Sequence, residues 1–198
     1  AQPGHTGTIR YSSIAPWVME ATYAYHRFPP ELSNLLLNMD SGRWGKVITA
    51  HGAGDPHEKT CGLGQGSIIA PLKWNLLLQP LLARLTETVD PYTIGTGAEV
   101  ENLWALAFAD DISIIASTEK GYRERMALAD EYLSFIGVEF SPSKTKLTYT
   151  STKHITAATT TSYSTTGVPI ITETAVASPY EAMRYLGGYL APDCNWID

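Results

Sequence analysis

Two adjacent aspartates, Asp110 and Asp111, interrupt an otherwise apolar stretch of the chain. The stretch covers residues 103–118 and reads LWALAFADDISIIAST. Short apolar runs that are rich in β-branched residues are typical of buried or half-buried strands, and the gap between these two runs has the length of a hairpin turn. The pattern therefore predicts a β-hairpin with both aspartates at or near its tip.

Two interpretations of this aspartate pair follow from the residues alone. Aspartate favours turns because its side chain hydrogen-bonds to nearby backbone, so simple turn chemistry is one of them. A turn needs only one aspartate, however, and adjacent like charges repel. Two carboxylates at the end of rigid strands would also make an all-oxygen site for a hard divalent cation such as Mg²⁺. This segment by itself leaves both interpretations open.

The flanking segments predict an α+β fold with helices packed on one face of a mostly antiparallel sheet. Helices are expected over residues 16–28, 29–42, 68–89 and 118–137. The apolar stripe of the second would comprise Leu32, Leu35, Leu36 and Met39, with a stop at Gly42. That of the fourth would comprise Met126, Ala129, Leu133 and Ile136, with Gly137 as the cap.

The remaining segments predict short strands and turns. A strand is expected over 46–50, a turn-rich connection over 51–60 and two short strands within 138–150. Surface strands and loops are expected over 151–178, and a strand pair or turn over 181–190. The expected core residues are Leu76, Leu77, Leu103, Phe108, Ile114, Leu133, Ile136 and Leu186.

Composition limits the classes of protein to which the chain can belong. With 198 residues it is long enough for one domain with a good core. Its 20 acidic against 14 basic residues give a net charge of −6, which is unusual for a free-standing nucleic-acid binder. Cys61 and Cys194 lack zinc-site spacing and suggest no disulfide framework, which favours a reducing, intracellular compartment. No apolar run reaches the ~18 residues of a membrane span, and no signal peptide is visible. The lack of an initiator methionine suggests a processed chain or a piece of a longer one.

Four segments together resemble the reverse transcriptases of non-LTR retrotransposons and group II introns. Residues 62–82, GLGQGSIIAPLKWNLLLQPLL, resemble the family pattern GxxQGxxxSPxLFNxxLxPLL. Residues 106–111, LAFADD, resemble the [FY]xDD metal-binding turn. Residues 140–149, FSPSKTKLTY, resemble the NPxK segment, and residues 185–190, YLGGYL, resemble the YLG primer grip. The segments follow the family order and spacing from about Ala15 to Tyr189.

This resemblance implies a polymerase palm spanning residues 1–198, with part of the fingers at 16–60 and the remaining fingers and the thumb largely absent. Asp110 and Asp111 would bind Mg²⁺ or Mn²⁺ in two-metal phosphoryl transfer. Lys144 would face the triphosphate. Phe108 and Tyr11, the aromatic that screens the sugar 2′ position, would contact nucleotide or template together with Gly64, Gln65 and Gly66. Tyr185, Leu186 and Gly187 would form the primer grip.

Each of these assignments has a structural alternative. The glycines of residues 62–67 could simply form a tight entry to the next helix. Lys144 could be a solvated turn lysine, and residues 185–187 could serve sheet packing alone.

One departure from the family pattern concerns the third palm carboxylate. Counting back about 60 residues from Gln65 leads to Thr6, and Tyr11 falls five residues later, where the family has an aromatic residue. A threonine hydroxyl is a weak, neutral ligand that cannot replace a bridging carboxylate. The family's SP and NP are here Ala70-Pro71 and Ser141-Pro142, which are milder changes.

Two functions remain compatible with the sequence. The first is a catalytically impaired palm that acts as a structural or binding subunit of a larger protein or ribonucleoprotein assembly. The second is an active RNA-directed DNA polymerase fragment that uses two Mg²⁺ ions on an RNA or DNA template–primer. An unrelated α+β domain with a chance Asp-Asp turn is a more remote alternative, because four motifs occur in order. Thr6, at the position of the missing palm carboxylate, favours the impaired palm.

Overall fold

The computed structural model describes residues 14–59, 63, 67–97, 99–141, 144–148, 158–163, 166–177, 183–185 and 188–190. The helices of these parts are α1 (Pro16–Tyr25), α2 (Pro30–Asn38), α3 (Ala70–Leu85) and α4 (Glu119–Phe135). The strands between α2 and α4 are β1 (Arg43–Gly45), β2 (Ile48–Thr49), β3 (Gly52–Ala53), β4 (His57–Lys59), β5 (Tyr92–Ile94), β6 (Glu101–Leu103), β7 (Ala105–Phe108) and β8 (Asp111–Ile114). The strands after α4 are β9 (Lys146–Leu147), β10 (Ala158–Tyr163), β11 (Pro169–Val176), β12 (Met183–Tyr185) and β13 (Gly188–Leu190).

The predicted α+β class is confirmed. Helix α3 is central: it packs against α1 on one side and α4 on the other, and its buried face carries Trp74, Leu77, Leu78, Leu81 and Leu85. The hairpin β7–β8 packs on α3 and α4 through Ala105, Ile112 and Ile114. No helix in the described parts is both long and apolar enough to span a bilayer.

The ends of α1 and α4 follow from local chemistry. Pro16 lies in the first turn of α1, and the helix ends at Tyr25, three residues before the predicted end, because Arg27 takes a positive φ of 57°. The Thr118 hydroxyl accepts the Gly121 amide at 3.1 Å and caps the start of α4. At its end the predicted cap Gly137 has φ 75°, and the Val138 amide donates to the Leu133 carbonyl at 2.8 Å.

The predicted apolar stripe of α2 is wrong in part. None of its residues is fully buried, and Leu32, Leu35 and Met39 are exposed. Leu36 does pack against the core as predicted, together with Leu37, which lies outside the predicted stripe. The helix lies at the edge of the molecule, so only one narrow side of it meets α1 and α3, and it ends at Asn38 rather than at Gly42.

The prediction of a strand at 46–50 followed by a turn-rich connection over 51–60 is right only in part. Residues 43–59 form a two-stranded ribbon that reverses at Ala50-His51: β2 pairs with β3, and β1 pairs with β4. Of the predicted strand, only Ile48 and Thr49 are strand residues, and they form β2. The predicted connection contains the two strands that pair back, β3 and β4. Such strands of two or three residues carry too little hydrophobic pattern to be recognised locally.

The segments after α4 pair differently from the prediction. Of the two strands expected within 138–150, the described residues contain only β9, which runs parallel to β11. The hairpin β10–β11 lies on α4, and the interface is polar, with Thr160, Ser162 and Thr174 buried. The strand pair expected over 181–190 is present as β12–β13.

Of the predicted core residues that the structure describes, all but Phe108 are buried or half-buried. Leu77, Leu133 and Ile136 are buried, and Leu76, Leu103 and Ile114 are half-buried. Phe108 is 65% exposed, so its assignment to the core is wrong: it lies on the face of the β7–β8 hairpin that points away from the helices. Leu186 lies outside the described residues.

Pro80 lies inside α3 and cannot donate the backbone hydrogen bond that the Leu76 carbonyl would receive in a regular helix. His26 replaces it: its Nε2 donates to the Leu76 carbonyl oxygen at 2.8 Å, with the proton on Nε2. The next carbonyl, of Leu77, also accepts a side-chain donor, the Tyr132 hydroxyl. Burial raises the pKa of Tyr132 to about 12, so this donor keeps its proton throughout the physiological range.

We expect His26→Ala to lower the free energy of unfolding by about 1–2 kcal/mol, since it leaves a buried helical carbonyl without a donor. In a Pro80→Ala background the loss should shrink, because the backbone amide gained by that substitution can bond to the Leu76 carbonyl. Urea denaturation of the four proteins of this double-mutant cycle measures the coupling. His51→Ala, at an exposed turn, is the control. An equal cost of His26→Ala in both backgrounds would refute the role assigned to His26.

Candidate metal centre at a hairpin tip

The aspartate pair lies at the tip of the β7–β8 hairpin, where the sequence pattern predicts it. Phe108 pairs with Asp111 across the strands, and Ala107 pairs with Ile112. The two residues between the strands, Ala109 and Asp110, form the turn. Asp110 is thus in the turn itself, Asp111 begins β8, and both residues are exposed.

The hairpin has an inner and an outer face. Residues that lie directly opposite each other on paired strands point to the same face of the sheet. Ile112 points inward to the core between α3 and α4, so the Phe108–Asp111 pair points outward. The outer face therefore presents an exposed aromatic ring beside an exposed carboxylate, one residue from a second carboxylate.

The turn is held from below by helix α3. Ala109 adopts a positive φ of 51°, which is unfavourable for a residue with a Cβ. Its carbonyl oxygen accepts a hydrogen bond from the indole Nε1 of Trp74, a side chain that is fully buried beneath the hairpin. Trp74 was not among the site residues predicted from the sequence. The available signal was a donor-bearing tryptophan at the Phe position of the family pattern.

The two carboxylates at the tip are suitable ligands for a hard dication, but they supply only part of its usual coordination shell. Two carboxylates supply the oxygen ligands that Mg²⁺ and Mn²⁺ prefer, and such ions commonly keep several waters. Within the described ranges there is no group of three or more His, Cys, Asp or Glu side chains close enough to hold a metal ion. Asp110 and Asp111 are the two carboxylates that the described part of the hairpin tip could offer to such an ion.

Two of the other predicted site residues lie within the described parts of the chain, Lys144 and Tyr185. Lys144 lies in a turn, where its amide donates to the Ser141 carbonyl at 3.1 Å, and it is exposed. Tyr185 is the last residue of β12 and pairs with Gly188. The remaining candidates lie outside the described residues: Thr6, Tyr11, Gly64, Gln65, Gly66, Leu186 and Gly187. Of the predicted site, the structure brings together Phe108, Asp110 and Asp111.

The helix that supports the tip is itself fixed by a buried ion pair. Lys73, next to Trp74, is 2% exposed; its Nζ lies 2.5 Å from Asp40 Oδ2 and donates to the Leu36 carbonyl at 3.0 Å. Lys73 stands at the Leu position of the family pattern, as Trp74 stands at the Phe position. These neighbouring side chains connect α3 to two different elements, the end of α2 and the tip of the β7–β8 hairpin.

Comparison with known proteins gives two matches. The sequence profile of a family described as reverse transcriptase (RNA-dependent DNA polymerase) matches residues 17–190. The retrovirus-related Pol polyprotein from type-1 retrotransposable element R2 of Nasonia vitripennis is 31% identical over 83 residues. That alignment covers 42% of this chain and 8% of the Nasonia protein.

Proposed function

The chain belongs to the reverse transcriptase family, and from this premise we propose that it is a palm domain that has lost efficient polymerisation and serves as a structural or binding subunit of a larger assembly. The observation that carries this proposal is Thr6, because counting back about 60 residues from Gln65 puts a threonine where the family pattern has its first palm carboxylate.

The loss of one carboxylate matters because polymerases of this type stabilise charge on both the attacking and the leaving oxygen. Reverse transcriptases in general use divalent metals for this purpose. A lost contribution of about 4 kcal/mol to the transition state would slow nucleotide addition about a thousandfold. The outer face of the β7–β8 hairpin would then be free to contact a protein or nucleic-acid partner through Leu106 and Phe108, which are both exposed.

An active RNA-directed DNA polymerase remains the second candidate, and the retained Asp110–Asp111 pair at an exposed, well-supported tip favours it. In that case Lys144 would face the triphosphate, and Phe108, Tyr11 and residues 64–66 would contact nucleotide and template. Residues 185–187 would grip the primer. A partner chain or another carboxylate of the same polypeptide would complete the metal site.

We expect no extension of a primer annealed to an RNA template, with Mg²⁺ or with Mn²⁺, above the level of Asp111→Ala run in parallel as a blank. Extension by the wild type above that blank would overturn the proposal and support the polymerase. Thr6→Asp tests its basis directly, because it returns a carboxylate to the family position. Activity gained only by that variant would assign the loss to Thr6. If the wild type does not extend the primer and co-purifies in a stoichiometric complex, the structural role is supported.

A further inference from the structure

The Ala109–Asp110 turn can exist in two forms that differ in one peptide plane. Two-residue hairpin turns of types I′ and II′ both place the first central residue at positive φ. They differ in the orientation of the peptide that joins the two central residues, and only type I′ places the second one at positive φ as well. In the structure Ala109 has a positive φ and Asp110 does not, which is the sign pattern of type II′.

The form of the turn determines the direction in which the Asp110 carboxylate points. A flip of the Ala109–Asp110 peptide changes the backbone angles of Asp110 and therefore turns its side chain relative to Asp111. Aspartate is among the few residues that tolerate a positive φ, so the residue itself does not prevent the flip. Both forms place Ala109, which carries a Cβ, at an unfavourable positive φ, so a contact from elsewhere in the fold can offset this cost and decide between them.

The contact that can set the form is the hydrogen bond from Trp74. Its acceptor, the Ala109 carbonyl, belongs to the one peptide plane that distinguishes the two turn types. Its donor is fixed, because the Trp74 ring is fully buried on α3, 35 residues earlier in the chain. A flipped peptide would turn the carbonyl away and leave a buried indole N–H without this acceptor, which is unfavourable.

We propose that Trp74 is a positioning residue for the aspartate pair: its indole N–H selects one form of the hairpin turn and so orients Asp110 beside Asp111 for a divalent cation. The cation-binding part of this inference rests on the proposed metal-binding tip. The selection of the turn does not, and it can be measured without metal. The family pattern has phenylalanine at this position, and phenylalanine has no N–H. The hydrogen bond from residue 74 to the turn is therefore a feature of this chain and not of the family pattern.

The test compares Trp74→Phe with the wild type by NMR. The variant keeps an aromatic ring in the core and removes only the donor. We expect the wild type to show a slowly exchanging Trp74 indole proton and no strong nuclear Overhauser effect between the Ala109 and Asp110 amide protons, which lie far apart in type II′ and close in type I′. In Trp74→Phe that effect should appear, and exchange of the Asp110 and Asp111 amides should speed up about tenfold. Trp17→Phe, at a half-exposed site on α1, is the matched control and should change neither signal.

Titration with Mn²⁺ alone then separates the role of Trp74 in the turn from the candidate metal centre. Affinity at the tip should fall about five- to tenfold in Trp74→Phe and stay unchanged in Trp17→Phe. Altered turn signals with no Mn²⁺ bound by any protein would uphold the role of Trp74 in the turn and count against the metal site. Unaltered turn signals in Trp74→Phe would overturn the inference. So would a rapidly exchanging Trp74 indole proton in the wild type, a measurement that does not require the variant to fold.

Discussion

Replacing Arg125 by methionine is expected to lower the free energy of unfolding by about 3–5 kcal/mol, the largest effect on stability that we expect of a single substitution in this chain. Arg125 lies on α4 and is completely buried. Its guanidinium donates to three acceptors: Nε to the Thr88 hydroxyl at 2.8 Å, Nη1 to the Ile115 carbonyl at 2.7 Å and Nη2 to the Val89 carbonyl at 2.5 Å. Methionine fills the volume of the side-chain stem but leaves all three acceptors unpaired.

The position of these acceptors explains why the loss is expected to be so large. Thr88 and Val89 follow the end of α3, and Ile115 follows the end of β8. Arg125 therefore joins α3, the β7–β8 hairpin and α4 at one point. Gly121 lets the helix approach closely there, since a Cβ at this position would lie 3.0 Å from the Val89 carbonyl oxygen. Burial lowers the pKa of Arg125, and the nearby acidic residues Glu124 and Asp90 oppose that shift.

Urea denaturation followed by circular dichroism measures this prediction. Arg84→Met is the matched control: Arg84 pairs with Glu87 on an exposed helix surface, and removing such a pair changes stability by less than about 0.5 kcal/mol. Arg125→Lys should fall between the two, because an ammonium group cannot reach three acceptors spread around a planar guanidinium. A loss for Arg125→Met no larger than that of the control would show that Arg125 does not hold the junction together.

The elements that the sequence predicted best are those whose signals are local. Helix α4 has a capping threonine at its start, a glycine just beyond its end and a clear apolar stripe, all within about 20 residues. The β7–β8 hairpin is defined by two apolar runs around a two-residue turn. In both elements, the residues that form the pattern are close in sequence and also make the local contacts that define the element.

The features that the sequence did not reveal depend on contacts between distant residues. The bond from Trp74 to Ala109 joins residues 35 positions apart, and Arg125 contacts Thr88 across 37 positions. Phe108 was misassigned because alternation along a strand separates two faces without showing which one meets the helices. The α2 stripe was misjudged for a related reason, because an apolar helix face is buried only where a neighbouring element covers it.

The second large effect concerns the candidate metal centre, where Asp110→Asn is expected to abolish binding of Mn²⁺ to the isolated chain. The wild type should bind weakly, at about millimolar concentrations, because two carboxylates without a third leave much of the ion's coordination to water. An amide keeps the shape of the side chain but removes its charge, and the lone carboxylate of Asp111 would then compete poorly with water for the ion.

Paramagnetic broadening of amide signals by Mn²⁺ locates the bound ion and therefore tests the site as well as the affinity. In the wild type, broadening should centre on residues 108–112, and Mg²⁺ in excess should reverse it. Asp55→Asn is the matched control, since it removes the same charge from an exposed loop between β3 and β4 and should leave the broadening unchanged. Broadening centred on another carboxylate, and retained in Asp110→Asn, would show that the pair belongs to the turn alone. Loss in Asp110→Asn but not in Asp55→Asn would show that the hairpin tip binds the ion through its aspartate pair, whether or not the chain adds nucleotides.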